Sequence, residues 1–316
     1  MKGGNMKKCL GCMRDYAEES IACPVCGYSD VQMRADIEEY TEALKPETIL
    51  AGRFIIGRVL DLSDFSIIYL SWDALLKRRV VIREYFPYGI VQREDTIRAL
   101  KPREQLMFEK GKEVFEDENR ILSRNQDIPE LVNVYRCFRE NGTSYSVSEY
   151  LVGYTLQDYL DINERFSEKD AENLFFAIME SVDKLHKRGI VHLNLAPENI
   201  YLRDDKSFKL IDFGRAKEAV HRVCNGDLSI FDDRYTAPEV LDGGAISGAA
   251  DMYSLGMIYY QMLTGKFPPK RGKKDALSVL KVKNQSQSMM IEMLTELDVN
   301  ARPGSADQLR RAMAGR

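Results

Sequence analysis

The order of residue patterns along the chain predicts an α+β fold, in which a β-rich region is followed by a helical region. Segments rich in β-branched and aromatic residues recur between residues 51 and 152. Long segments with helical periodicity dominate residues 153–316. Four of the six cysteines lie within the first 26 residues. The sequence therefore predicts two large units, of residues 51–152 and 153–316, which follow a small cysteine-rich unit (1–30) and a linker (31–50).

The small unit contains two Cys-x-x-Cys pairs, Cys9 with Cys12 and Cys23 with Cys26. Two such pairs can close on one tetrahedral metal ion, each pair donating two thiolates. Gly27 allows the second knuckle to turn back beneath the metal. Two disulfides, a redox pair and the iron of a rubredoxin-like knuckle are alternatives, but the doubled motif and its short spacing favour structural zinc. The segment resembles a small zinc ribbon, whose folding free energy would come from the metal.

The remaining cysteines, Cys137 and Cys224, stand alone in the sequence. Isolated thiols of this kind are more often packed or incidental than functional. We therefore expect no site at either position.

Composition argues against several classes of partner. The formal net charge is −4 and the isoelectric point is near 5.7, which gives no general attraction to nucleic acids or anionic membranes. The most apolar stretch, residues 252–263, is too short to cross a bilayer. The N-terminus has positive charge but no apolar stretch after it, so it does not look like a signal peptide. We expect a cytoplasmic protein that contacts neither membranes nor nucleic acids.

The β-rich unit is predicted to contain antiparallel strands and one helix, preceded by a short helix in the linker. The helix spans about residues 103–123, with Leu106, Phe115 and Leu122 in its apolar stripe. Asn141-Gly142 marks a tight turn between the last two strands. The strands are predicted at 53–60, 66–73, 78–86, 131–138 and 144–151.

The helical unit begins with a strongly amphipathic segment, residues 167–189. Ser167 and Asp170 have the spacing of an N-terminal capping box, and Gly189 ends the segment. A second helix, residues 250–265, also ends in glycine, and residues 286–313 predict two more helices.

Several short motifs occur in the order expected for one enzyme family. Together they resemble the bacterial serine/threonine protein kinases over about residues 48–312. The resemblance implies a two-lobed fold with a β-rich N-lobe and a helical C-lobe. The motifs are "VVIRE" (80–84), Glu118, "SEYL" (148–151), "HLNLAPEN" (192–199), "IDFG" (211–214), "APE" (237–239), "DMYSLG" (251–256) and "ARP" (301–303).

The resemblance also shows what the phosphate-binding elements have lost. Asp61, Ser63 and Ser66 stand where the family has the three glycines of its phosphate loop. Glycine matters there because backbone amides must approach the phosphates closely. Arg83 replaces the strand lysine; it can still pair with Glu118 but is a poor substitute for a phosphate-gripping ammonium. We expect an ordinary hairpin turn and a structural ion pair.

The catalytic loop lacks the residue that would accept the substrate proton. Asn194 replaces the aspartate and has no basicity, and Ala196 replaces a lysine or serine near the transferring phosphate. Leu193 replaces the arginine that would bind a phosphorylated activation loop. Asn199 and Asp212, the two magnesium ligands of the family, are both retained.

Other motif positions imply structural roles that need no substrate. The resemblance implies a hydrophobic spine of His192, Phe213, Leu122 and Val134, a buried ion pair between Glu239 and Arg302, and a brace from Asp251 to the catalytic loop.

The resemblance further implies which side chains would surround adenine. Ile68, Val81 and Tyr201 occupy the three sandwiching positions, and Ser148 is at the gatekeeper position. Val81 and Tyr201 are larger than the usual residues and would fill part of the adenine slot, whereas Ser148 would open space behind it. We expect Mg-ATP to bind weakly or not at all.

Two functional hypotheses follow from these substitutions. In the first, the chain is a pseudokinase that acts as a regulatory or scaffolding module and binds a protein partner. In the second, it is a weak or atypical ATP-dependent serine/threonine kinase, which the retained Asn199 and Asp212 favour.

Overall fold

The computed structural model describes residues 5–213, 232, 234–270 and 282–314. The chain divides into two compact units. The first runs to Gln126 and includes Asn133–Tyr150; the second takes Asp127–Val132 and the chain from Leu151 onward. Within the described ranges, no helix is long and apolar enough to span a bilayer.

The first unit contains a six-stranded antiparallel sheet, with strand order β3-β4-β5-β6-β10-β9, and two separate two-stranded ribbons, β1-β2 and β7-β8. A 3₁₀ turn precedes its longer helix. In chain order its elements are β1 (Met6–Lys8), β2 (Asp15–Ala17), α1 (Asp30–Glu39), β3 (Ile49–Leu50), β4 (Phe54–Ser63), β5 (Ser66–Asp73), β6 (Arg78–Tyr85), β7 (Val91–Arg93), β8 (Ile97–Ala99), α2 (Gln105–Arg124), β9 (Val134–Glu140) and β10 (Thr143–Glu149).

The core of the first unit lies between the sheet and α2. Phe108, Phe115 and Leu122 are buried at intervals of seven residues along one face of the helix. The ring of Tyr85 from β6 lies 5.9 Å from that of Phe108 and 5.6 Å from that of Phe115. The predicted stripe was wrong at Leu106, which is 71% exposed because it lies on the opposite side of the helix.

The predicted turn between the last two strands is confirmed. Asn141 and Gly142 connect β9 to β10 with φ angles of 49° and 79°. Positive φ at both central residues is the requirement of a type I′ turn, which matches the twist of the flanking strands.

The second unit is mainly helical and has one small antiparallel sheet, β11-β12-β13. The N-terminus of its second helix is capped as predicted, since the Asp170 amide donates to Ser167 Oγ at 3.1 Å. In the described part of this unit, the elements are β11 (Gly153–Thr155), α3 (Leu156–Asn163), α4 (Glu168–His186), β12 (Ile200–Arg203), β13 (Phe208–Leu210), α5 (Pro238–Leu241), α6 (Gly248–Thr264), α7 (Gln285–Leu294) and α8 (Ala306–Ala314).

Helix α6 forms the centre of the second unit. Its residues from Ala249 to Leu263 are all buried, which accounts for the nearly continuous apolar sequence. Gly265 ends the helix in the left-handed conformation, with φ of 71°. The helix therefore places Asp251, near its N-terminus, inside the core.

Candidate functional site

The loop between α4 and β12 corresponds to the predicted catalytic loop, and Asp251 holds its backbone. The carboxylate of Asp251 accepts hydrogen bonds from the amides of His192 and Leu193, each at 2.8 Å. His186 Nε2 also lies 2.8 Å from it. Burial of Asp251 opposes its ionisation, but the hydrogen bonds from His186 and the backbone outweigh burial and lower its pKa. The brace expected from the sequence is present.

The amide side chain of Asn194 is bonded to the residue that would hold magnesium. Its Nδ2 donates to the Asp212 carboxylate oxygen Oδ2 at 2.7 Å and to the Asp212 carbonyl oxygen at 2.9 Å. The carbonyl oxygen of Asn194 accepts from Asn199 Nδ2 at 2.8 Å. We call these three residues the amide–carboxylate cluster. Within it, a neutral donor stands where catalysis would require a proton acceptor.

Asp212 and its neighbour Phe213 are held in a defined geometry. Asp212 has a φ of 53°, in the left-handed region. The Phe213 ring stacks on His192, with centroids 4.0 Å apart. His192 is fully buried, and this burial lowers its pKa to about 4, so its imidazole is neutral at physiological pH. The last residue of the "IDFG" motif, Gly214, lies outside the described residues.

Further structural groups occur at the positions that the resemblance implied. Arg302 donates to both carboxylate oxygens of Glu239, at 2.7 and 3.1 Å. It also donates to the carbonyl oxygens of Ala249 and Glu296. Leu122 and Val134 are buried within the first unit. The expected ion pair is thus present, and the complete four-residue spine remains a prediction.

In the first unit, the segment aligned with the phosphate loop forms a tight hairpin. Ser63 and Ser66 pair across the two-residue turn, with their hydroxyl oxygens 2.8 Å apart. The amide of Leu62 donates to the side chain of Asp61 at 2.8 Å. Phe65 is buried and its carbonyl accepts from the amide of Phe86 at 2.8 Å. The hairpin tip is therefore bonded to its own side chains and to the chain after β6.

Arg83 and Glu118 form the expected ion pair. Arg83 Nη1 lies 3.3 Å from Glu118 Oε1, and the Glu118 side chain is 1% exposed. The Arg83 guanidinium also lies 4.9 Å from the centroid of the Phe115 ring. The cation is thus held by α2, in a position suited to bracing the helix.

The residues predicted to surround adenine are distributed between the two units. In the first unit, Val81 lies opposite Ser148 on β10, and Ile68 lies opposite Arg83. Alternation along the strands places these four side chains on one face of the sheet. In the second unit, Tyr201 donates its hydroxyl to the Gly153 carbonyl at 3.0 Å. Their role in nucleotide binding remains a prediction.

The four N-terminal cysteines converge in one cluster, which we call the cysteine cluster. All four sulfur atoms lie within 4.8 Å of one another. Cys9 and Cys26 have sulfurs 3.6 Å apart, and those of Cys12 and Cys23 are 3.8 Å apart. These distances are longer than the roughly 2.05 Å of a disulfide bond, and all four cysteines are free thiols. A tetrahedral ion with zinc–sulfur distances of about 2.3 Å separates its ligands by about 3.8 Å, so the cluster fits zinc.

Sequence reasoning missed how the cysteine-rich segment meets the sheet. The amide of Arg58 on β4 donates to the Leu10 carbonyl at 2.9 Å. A Cβ at Gly57 would clash with that carbonyl and with the Met13 side chain. Lys8 Nζ lies 3.6 Å above the Trp72 ring. The available signal was Gly57 itself, since a glycine inside a strand often marks a close backbone approach.

Similarity to known proteins agrees with this geometry. The chain is 27% identical to serine/threonine-protein kinase PrkC of Bacillus subtilis (strain 168) over 220 residues, 69% of this chain and 31% of PrkC. It is 25% identical to the probable serine/threonine-protein kinase PknB of Bifidobacterium longum (strain NCC 2705) over 235 residues, 71% of this chain and 32% of that protein. This chain therefore spans about a third of the length of these relatives.

A solved structure described as the apo form of PpkA-294 has the same fold. It superposes with a TM-score of 0.72 at 21% identity and covers 86% of this chain and 99% of its own. The family model described as the protein kinase domain matches residues 88–311, more than half of the chain. That match begins after β6, so the strands with the hairpin and Arg83 lie outside it. The fold is the two-lobed α+β fold of protein kinases, and the chain belongs to the protein kinase domain family.

Proposed function

We propose that this chain is a pseudokinase that acts as a regulatory or scaffolding module by binding a protein partner. The observation that carries the proposal is the hydrogen bond from the Asn194 amide to the Asp212 carboxylate. Phosphoryl transfer by a kinase requires a carboxylate that accepts or orients the substrate proton, together with magnesium ligands. In this chain the proton-accepting carboxylate is replaced by the amide of Asn194. That amide donates a hydrogen bond to a carboxylate oxygen of Asp212, one of the two magnesium ligands of the family.

The chemistry of Asn194 explains why this arrangement is stable without catalysis. A neutral amide donates to a carboxylate without electrostatic repulsion, whereas a second carboxylate at 2.7 Å would repel the first. Magnesium would have to share the Asp212 carboxylate with this hydrogen bond, and it demands oxygen ligands in nearly ideal octahedral geometry. The hydrogen bonds of the amide–carboxylate cluster are therefore suited to fixing the conformation of the catalytic loop.

The first unit supports the same proposal. The hairpin amides of Leu62 and Phe65 donate to the side chains of Asp61 and Ser63, and the Phe65 carbonyl accepts from the amide of Phe86. Arg83 is held by Glu118 and Phe115. Positioning and charge stabilisation supply most of the catalysis in phosphoryl transfer. The changes in the hairpin and at Arg83 therefore remove several of the contacts on which that catalysis depends.

We further propose that the cysteine cluster holds one structural zinc ion. Its four sulfurs lie within 4.8 Å of one another, with two pairs at 3.6 and 3.8 Å, and no further ligand position is required. Zinc would supply the folding free energy that a segment of this size cannot obtain from burial alone. The folded segment then packs against β4, where Leu10 accepts a hydrogen bond from Arg58 and lies close to Gly57.

Incubation with Mg-ATP followed by intact-mass measurement tests the pseudokinase proposal. We expect no phosphate on the protein itself or on added protein substrates. The matched control is the Asn199→Ala, Asp212→Ala double variant, because any phosphorylation that persists in it comes from a contaminating kinase. Phosphate incorporation by the wild-type chain that is lost in this variant would contradict the proposal.

A second candidate function is that of a weak or atypical ATP-dependent serine/threonine kinase. The retention of both Asn199 and Asp212, and the left-handed conformation of Asp212, favour it. The mass experiment separates the two candidates, since only this one predicts phosphorylation that requires Asn199 and Asp212.

A further inference from the structure

A pocket of 550 Å³ lies within the first unit, where the cysteine-rich segment meets the turn between β5 and β6. The cations that line it come from both sides. Lys8 and Arg14 belong to the cysteine-rich segment, and Lys77, Arg78 and Arg79 belong to the turn and to β6.

The charge of this pocket is strongly unbalanced. Asp15 is its single acidic lining residue, and it pairs with Lys8 at 2.6 Å. Within the described part of the chain, no carboxylate lies at ion-pair distance from the other cations, which are Arg14, Lys77, Arg78 and Arg79. Four cations are thus concentrated in one pocket of a chain whose net charge is −4. Such a concentration favours an anionic ligand.

Aromatic rings hold two of the guanidinium groups in place. Arg78 lies 3.8 Å from the centroid of the Tyr135 ring, and Arg79 lies 4.4 Å from that of Tyr150. A guanidinium stacked on a ring keeps its N–H edge available for two parallel hydrogen bonds. In addition, Arg78 Nε is buried and has no hydrogen-bond partner. Arg79 is therefore a preorganised donor on the face of the sheet that carries Trp72, and Arg78, its neighbour along β6, is a preorganised donor on the opposite face.

The pocket also has an apolar wall. Trp72 lies directly opposite Arg79 in the β5–β6 ladder, so the two side chains leave the sheet on the same face. Trp72 lines the pocket beside Tyr150 and Met13. The wall can contact the aliphatic part of a ligand whose charged end meets the Arg79 guanidinium.

We propose that this pocket binds the phosphate group of a phosphorylated serine or threonine in a protein partner. A phosphate carries a charge of about −1.5 to −2 and three acceptor oxygens, which match several cations better than one carboxylate does. Bidentate hydrogen bonding to phosphate is the characteristic contact of arginine. The proposal rests on the proposed function in taking the partner to be a protein.

Other polyanions fit the pocket less well. Nucleic acids are bound through several phosphate contacts along a track, and this chain has a net negative charge. A pocket of 550 Å³ has room for one phosphorylated side chain with its neighbours. Anionic vesicles would require a broad basic surface.

Fluorescence of Trp72 tests the proposal, because it is the single tryptophan of the chain and lines the pocket. The probe is a degenerate peptide library with a central phosphoserine, compared with the same library unphosphorylated and with one that has glutamate there. We expect a saturable change with the phosphorylated library, and binding roughly tenfold or more weaker with the other two. Inorganic phosphate, a single-stranded RNA and phosphatidylserine vesicles are titrated separately.

The Arg78→Gln, Arg79→Gln double variant should weaken binding of the phosphorylated library by roughly tenfold or more. Arg98→Gln combined with Arg103→Gln removes the same charge from exposed positions outside the pocket and should leave binding unchanged. Arg79→Lys keeps the charge but removes the fork, so it should weaken binding by a smaller factor. Thermal unfolding verifies that each variant is folded.

Several results would overturn the proposal. These are equal responses to phosphorylated and unphosphorylated peptides, insensitivity to the double variant, or tighter variant-sensitive binding of inorganic phosphate alone, RNA or vesicles. The titration contains no nucleotide, whereas the pseudokinase proposal is tested by phosphate incorporation. Failure of one proposal is therefore distinguishable from failure of the other.

Discussion

The cysteine cluster and the amide–carboxylate cluster are both groups of potential metal ligands, and they differ in what the ligand atoms already contact. In the first, four sulfurs lie within 4.8 Å of one another, and two pairs are separated by 3.6 and 3.8 Å, close to the spacing around a tetrahedral ion. In the second, a carboxylate oxygen of Asp212 already accepts a hydrogen bond from Asn194. The comparison teaches that retained ligand residues such as Asn199 and Asp212 have to be judged together with the groups that already bond to them. The groups around the ligands must also leave them available.

The polar groups near the amide–carboxylate cluster serve the fold. Asp251 and Arg302 are buried and bond mainly to backbone atoms and to Glu239. Losing such a group leaves an unpaired buried charge, which is expensive whether or not the site is catalytic. A basic carboxylate at position 194 has no comparable structural role, so its loss leaves the fold intact.

The largest expected effect concerns the cysteine cluster. We predict about one zinc per chain, and its loss in Cys23→Ser, because a three-thiolate site binds zinc far more weakly than a four-thiolate site. Elemental analysis of protein purified without chelator measures it. Cys137→Ser is the matched control, since Cys137 lies outside the cluster, and it should retain the metal. Iron in place of zinc, or no metal in the wild-type protein, would show the assignment to be wrong.

The next largest effect concerns the buried pair in the second unit. Arg302→Ala should lower the free energy of unfolding by about 3–5 kcal/mol, because Glu239 and two carbonyl groups lose their donor. Arg310→Ala removes an exposed ion pair with Glu180 and should cost about 0–1 kcal/mol. Denaturant unfolding of both variants compares them, and similar costs would argue against a structural role for Arg302.

A smaller effect should appear in the pH dependence of stability. His192 has an ordinary pKa of 6.5 and a folded-state pKa of about 4, so the unfolded chain binds more protons between these values. Stability should therefore fall as the pH drops from 6.5 toward 4, by about 3 kcal/mol in total. His192→Phe should remove this part of the slope. If the free energy of unfolding changed equally with pH in both proteins between pH 6.5 and 4, the result would contradict the assignment.

The smallest effect is expected for Asn194→Asp. Restoring the carboxylate should not restore phosphotransfer, because Arg83 remains held by Glu118 and the hairpin contains no glycines. The variant also replaces an amide donor to Asp212 with a second negative charge. Radiolabelled ATP measures autophosphorylation. Robust labelling of this single variant would show that the rest of the site is functional.

Much of the fold could be predicted because each element has a local signal. Asn141-Gly142 specified a turn, and Ser167 with Asp170 specified a helix start. The motif order predicted the Glu239–Arg302 pair and the Asp251 brace. Leu106 was wrongly predicted to be buried, because its spacing also suits an apolar stripe on a helix. Which face of the helix is buried depends on the side that packs against the sheet, and Leu106 lies on the other side.

The parts that could not be predicted depend on contacts between distant segments. The docking of Leu10 on Arg58, and the pocket that it helps to form, involve residues far apart in the chain. Likewise, the sequence showed that Asn194 lacks basicity, but not that its amide would bond to Asp212. Backbone geometry determines that contact.

The most direct test of the central claim is a calorimetric titration of the wild-type chain with Mg-ATP, alongside the Asp212→Asn variant. If the hydrogen bond from Asn194 to Asp212 prevents magnesium binding, the wild-type protein should bind Mg-ATP weakly or not at all. The binding heats measured for the wild-type protein and for Asp212→Asn should then be indistinguishable. A low-micromolar dissociation constant for the wild-type protein that is lost in Asp212→Asn would contradict the account and favour a weak or atypical kinase.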